Sequence, residues 1–206
     1  MLILALCCCT LLADDAPTER RHNAGPLTVE DFQAAVPKPL PTSGRFKLLA
    51  FADTDIRYQM EYRYQNLSDG VEATLKDIEI YAVFLTDKSW LAPTGEKTLD
   101  HEQGHFDISQ MYALDAMLQM KTRLNDGKAL IGRGPTRGDA VSDLQDKIDE
   151  TLKPISERVM VAQKEYDRAT NHGTVAARQA AHRKQQIDLL AELIADLKKL
   201  PPADAP

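Results

Sequence analysis

His101-Glu102-Gln103-Gly104-His105 places two imidazoles four residues apart, with a carboxylate beside the first. On an α-helix, residues four apart lie on one face, one above the other. Both rings can then turn a nitrogen to a single ion at about 2.0–2.1 Å, the distance that zinc takes from histidine. Glu102 stands three residues before His105 and borders the same face. A carboxylate there can reach a metal-bound water and act as general base in peptide-bond hydrolysis. The pattern predicts a Zn2+ site with His101 and His105 as ligands and Glu102 as the catalytic base. The chain has 5 histidines in 206 residues, so an accidental pair of this kind is rare.

A catalytic zinc usually has three protein ligands and an open fourth position. Asp107 is two residues from His105 and so points to the opposite side of the helix. Asp115 lies about 15 Å further along it. The third ligand must come from another element. His172 is the first choice, because Asn171-His172-Gly173 reads as a helix end with Gly173 able to take a positive φ. A ligand at a helix end can turn inward without disturbing the helix. The competing reading of His172 is a cap near the last carbonyls, where a cation is favoured. Glu165 and Asp167 are the next candidates for the ligand. Tyr166 and Tyr112 are candidate donors to a developing oxyanion. His22 and His182 read as solvated. Gly104 costs about 1 kcal/mol in mid-helix relative to alanine, and leaves room for a strand or a substrate backbone.

The elements that must position these groups can be read from periodicity. Residues 98–123 carry apolar side chains at helical spacing and form one long helix around the motif. Before it, residues 46–51 read as a short strand. Residues 56–65 alternate strictly between apolar and polar, as a half-buried antiparallel strand does. Residues 66–70 read as a turn, and residues 75–85 as a third strand with apolar residues on both faces. Residues 82–85 are the expected edge for a substrate strand. Thr28 can cap a short helix from Val29, with Asp31 as its third residue. The glycines between residues 125 and 138 predict a surface loop, with an active-site flap as the bolder reading. Residues 139–169 and 174–200 read as helices, the last with Ile187, Leu190, Leu193, Ile194 and Leu197 on its apolar face. The expectation is an α+β fold, an N-terminal antiparallel sheet of three or four strands followed by a helical half with a zincin-like motif helix. It is one domain over residues 27–200, with a flexible lead-in at 14–26 and a tail at 201–206.

Composition limits the function. Hydrophobic residues at 43% and charged residues at 27% suit a soluble globular chain. A net charge of −6 argues against nucleic acid as a partner, since phosphate binding needs a basic surface. The 3 cysteines are adjacent, Cys7 to Cys9, inside an apolar run over residues 1–13 that is too short to span a bilayer. That run reads as a secretory signal, with a lipoprotein signal as the alternative. The expected location is periplasmic or secreted, and the rest of the chain contains no thiol.

His101 to Ile108, preceded by Ser89-Trp90, resembles the bacterial family called domain of unknown function 922, described as secreted zinc-dependent proteases. Two further stretches resemble it in the same order, Leu27 to Phe32 and Tyr166-Asp167 through Thr170, His172 and Gly173. The resemblance implies a periplasmic or secreted zinc metallopeptidase acting on a peptide or protein substrate, with His101 and His105 as ligands and Glu102 as base. The alternatives are a zinc-dependent cell-wall amidase and a non-catalytic protein that holds zinc.

Overall fold

The computed structural model describes residues 18–44, 46–93, 95 and 98–201. The apolar segment 1–13, with its cysteines, and the tail beyond residue 201 lie outside them. The strictly alternating stretch is strand β5 (Thr54–Leu67), which turns back into β6 (Gly70–Leu85) as a long antiparallel hairpin. Register shifts at Lys76: Glu61 faces Asp77, and Tyr62 faces Leu75. The extra residue lets Ala73 and Leu75 share a buried face with Ile78, Ile80, Ala82 and Phe84, although the two sets are out of phase.

Two short strands complete a four-stranded sheet, and both correct the sequence reading. β1 (Glu19–Arg21) pairs with the end of β6, Arg21 opposite Val83, so part of the expected lead-in is sheet. β8 (Ile131–Gly134) pairs with residues 71–74 of β6, so the expected loop or flap is tied down. Its glycines are there for close packing: a Cβ on Gly132 would overlap the Ala140 carbonyl and lie 2.8 Å from the Leu144 Cβ. Residues 83–85 have β1 on one side and β5 on the other, so this stretch of β6 is no edge for a substrate. Thr28 caps a single 3-10 turn over Val29–Asp31, with a reciprocal capping box to Asp31.

Three helices follow the strands. α1 (Leu99–Asn125) lies along β6. α2 (Arg137–Thr170), which runs through Pro154, and α3 (Ala176–Lys199) pack on α1. Ala113, Ala116 and Met120 of α1 meet Ile78 and Ile80 of β6 and Leu144 and Ile148 of α2 in the main core. Phe84 and Phe106 anchor a second cluster beside the motif, with ring centroids 5.8 Å apart. No helix among the described residues is long and apolar enough to cross a membrane.

Four short strands stand apart from the main sheet. β2 (Thr42–Ser43) pairs with β3 (Phe46–Lys47), and β4 (Ala50–Phe51) with β7 (Trp90–Leu91). The stretch expected as one strand over 46–51 is thus two pieces, and residues 46–52 form a wall over the start of α1.

Candidate metal centre

Helix α1 puts the motif where its spacing requires. His101 and His105 stand one turn apart, their Nε2 atoms 3.3 Å from each other, and both are buried. The third partner comes from the last turn of α2. Asp167 Oδ1 lies 3.0 Å from His101 Nε2, 3.1 Å from His105 Nε2 and 3.3 Å from His172 Nδ1. Nitrogen and oxygen ligands arranged tetrahedrally at about 2.0–2.1 Å are separated by about 3.3–3.4 Å. The His101, His105 and Asp167 atoms already form a triangle close to that size. His101, Asp167 and His172 form a group able to hold a metal ion, with donor atoms all within 4.8 Å of one another. Asp167, second in the sequence reading, is therefore the group that touches all three imidazoles. His172 is beside it rather than in its place.

The end of α2 explains how both side chains arrive. Asn171, His172 and Gly173 have φ of 52°, 53° and 73°, three successive left-handed residues. Such a conformation costs a residue with a Cβ roughly 1–2 kcal/mol. It reverses the chain so that the His172 amide reaches the Asp167 carbonyl at 2.9 Å while the imidazole turns to the Asp167 carboxylate. Gly173 is required twice: by its φ, and because a Cβ there would lie 2.9 Å from the Cβ of His101.

Electrostatics bind the cluster together. Burial pushes Asp167 up, but hydrogen bonds and charge from His101 and His105 outweigh it and hold the carboxyl well below its ordinary range. Burial opposes charge on His101, yet the Asp167 hydrogen bond and the Glu102 charge keep its pKa above the usual value. Glu102 is 5% exposed, and burial raises its pKa against the lowering effect of both histidines. That is the direction a carboxyl needs to act as a base near neutral pH. Glu102 lines a cleft of about 340 Å³, whose floor is α1, one wall residues 46–52, and the other the α2 face of Met160, Gln163, Lys164 and Asp167.

Behind the cleft, α3 fixes the ligand helix. Gln179 Oε1 accepts a hydrogen bond from His101 Nδ1–H at 3.2 Å, and Nε2 faces Asp167. The Gln179 amide donates to Asp100 at 3.0 Å and to the Tyr166 hydroxyl at 2.7 Å. Arg183 donates to Asp100, to Asp107 at 2.6 Å and to Gln186, whose amide reaches the Gly104 carbonyl. Asp107 faces away from the centre, as its spacing predicts. Burial acts to raise its pKa, but His22, Arg183 and Gln103 hydrogen bonds hold it below the ordinary carboxylate value.

Three sequence assignments change here. Tyr166 is not placed to donate to an oxyanion: it is 3% exposed and does not line the cleft, and its hydroxyl accepts from the Gln179 amide behind it. Its ring stacks on His101 at 4.8 Å and meets His105 edge-on at 5.2 Å, fixing both imidazole planes. Gly104 leaves room for this ring rather than for a strand or substrate, since a Cβ would lie 2.5 Å from Tyr166 Cζ. His22 and His182 are engaged, not solvated: His22 Nε2 is 2.8 Å from Asp107, and His182 packs edge-on against Tyr166. Gln179, Arg183 and Gln186 escaped the sequence reading, although their spacing of four and three is that of one helix face. Comparison with known proteins returns no match among family models, curated proteins or solved structures.

Proposed function

We propose that this protein is a zinc-dependent peptidase in which His101, His105 and Asp167 hold the ion. The observation that carries the reading is the convergence of those three donors at 3.0–3.3 Å, with buried Glu102 beside them on an open cleft. An ion bound there would supply Lewis acidity, polarising a peptide carbonyl and acidifying a water toward a pKa of about 7. Glu102, buried beside the three donors on the cleft, would act as the base toward a water there and return the proton to the leaving amine. His172, with its side chain 25% exposed on the cleft, takes over the oxyanion role expected of Tyr166. β4 has β7 as its one sheet partner among the described residues and lines the cleft, so its other edge replaces residues 82–85 as the aligner of an extended substrate. The reading extends to a periplasmic or secreted location, supported by the apolar segment 1–13.

The test is Glu102→Gln in protein purified without chelator or histidine tag. The variant should retain about one zinc per chain and lose casein hydrolysis by at least about 100-fold, within the range general-base catalysis contributes. Normal cleavage by this variant removes Glu102 as the base. One observation favours a second reading: His172 lies near enough to Asp167 to become a fourth protein ligand, which would close the site and make the zinc structural. In that case His172→Ala loses zinc as severely as His101→Ala. In the peptidase it keeps zinc and loses turnover.

A further inference from the structure

We infer that the cleft selects peptides in which a large apolar side chain lies close to a carboxylate; this deepens the peptidase reading and rests on it. Both walls present large apolar groups to solvent. Phe46 is 37% exposed and Phe51 46% on one side, and Met160 is 56% exposed on the other. Exposed apolar groups facing each other across a concave site are unlike scattered surface residues, and an apolar side chain placed between them removes area from water on three sides. Within this wall Phe46–Lys47 and Ala50–Phe51 are strand, so the wall offers short extended edges to a peptide laid along it.

Charge narrows the class further. The chain as a whole is acidic, at −6. The two carboxylates of the cleft, Glu102 and Asp167, belong to the metal centre. What remains on the walls is positive. Lys47 and Lys164 stand on opposite sides, Lys164 one turn before Asp167, and neither forms an ion pair among the described residues. A bound carboxylate near either ammonium would find a partner that no carboxylate among the described residues engages. A basic side chain would meet like charge from both walls.

Blocked heptapeptides test this with the full-length, zinc-loaded protein. One position is Phe, Leu or Ser, the next but one is Glu or Gln, and a parallel set has a free C-terminal carboxylate in place of Glu. Binding is read by fluorescence anisotropy on Glu102→Gln, and hydrolysis on the unaltered chain. Replacing Ser by Phe or Leu should tighten Kd and raise kcat/KM about tenfold, the scale of an apolar side chain in a pocket. Glu or a free terminus should add about threefold at low salt, and the gain should vanish at high salt. Whichever carboxylate gives the gain identifies its source. In Lys47→Ala/Lys164→Ala the ratio of acidic to neutral peptide should fall to one. Equal binding of all peptides, or preference for a Lys-containing one, overturns the inference even if hydrolysis is rapid. Selective binding without hydrolysis sustains it and overturns the peptidase reading instead. The peptide profile of the unaltered chain decides the matter even if the double variant fails to fold.

Discussion

Helix α2 begins at Arg137 behind a capping box and ends at Thr170 in three left-handed residues. At its start, the Thr136 hydroxyl accepts from the Asp139 amide at 3.3 Å, and the Asp139 carboxylate takes the Thr136 amide at 3.1 Å. These two capping groups satisfy each other, and no residue from 135 to 140 has a positive φ. At its other end the backbone sits in a costly region, and Asp167, which takes His172 as one partner, is satisfied by His105 and His101 of α1, 62 and 66 residues away in the chain. The first end serves the helix. The second uses the helix as a base from which to aim two side chains at the cleft, and the packing of Tyr166 and Gly173 against α1 pays for it. Disturbing the first end should therefore change stability alone, whereas disturbing the second should change metal binding as well.

The largest effect is expected from Asp167→Ala. It should weaken zinc binding by more than about 100-fold, beyond the 10–100-fold typical of outer-shell changes. It also removes the shared acceptor of three imidazoles. Isothermal titration with zinc measures it, and near-native affinity would remove Asp167 from the ligand set. Gly173→Ala comes next. Left-handed strain and the clash with His101 together predict a loss of about 2–3 kcal/mol in stability, with weakened zinc binding alongside. Urea unfolding with and without zinc reads both, and a variant that is destabilised but binds zinc normally would separate the turn from the site.

Gly104→Ala should cost about 1–2 kcal/mol, overpacking against Tyr166 being partly offset by better helix propensity. The cost should shrink in a Tyr166→Ala background, and simple additivity in that cycle would show that the ring is not what Gly104 accommodates. Thr136→Ala is the smallest, about 1 kcal/mol from the lost cap. Zinc affinity should be unchanged, and a coupled loss of zinc there would break the distinction between the two ends.

Legibility in the sequence follows the same division. Elements held by local rules were plain: the alternation of β5, the helical period of α1, and the capping of Val29 by Thr28 all appear as expected. The two histidines of the centre were equally plain, because four-residue spacing on a helix fixes their geometry. The choice between Asp167 and His172 was not, because it depends on a left-handed turn whose stability comes from α1. β1 has three residues and no alternation to announce it, and the glycines of β8 read as breakers although they serve close packing on α2. On α3 the apolar spacing predicts a stripe that includes Ile187 and Ile194, but these are 56% and 42% exposed. The buried face instead begins with Gln179, Arg183 and Gln186 and turns apolar only at Leu190, so polarity hid the half of the helix that matters most to the site.

The Gln179 contact to His101 also has a bearing on biosynthesis. Polypeptides emerge from the ribosome amino end first. The motif helix leaves well before residues 176–199 exist, and until they do, the Nδ1 of its first imidazole and the carboxylate at position 100 lack the partners described for them, and the carboxylate at position 107 has His22 and Gln103 but not Arg183. A nascent chain halted short of α3 would carry the whole HExxH sequence yet hold its rings unsteadily. Translation thereby delays the finished centre until the molecule around it is nearly complete.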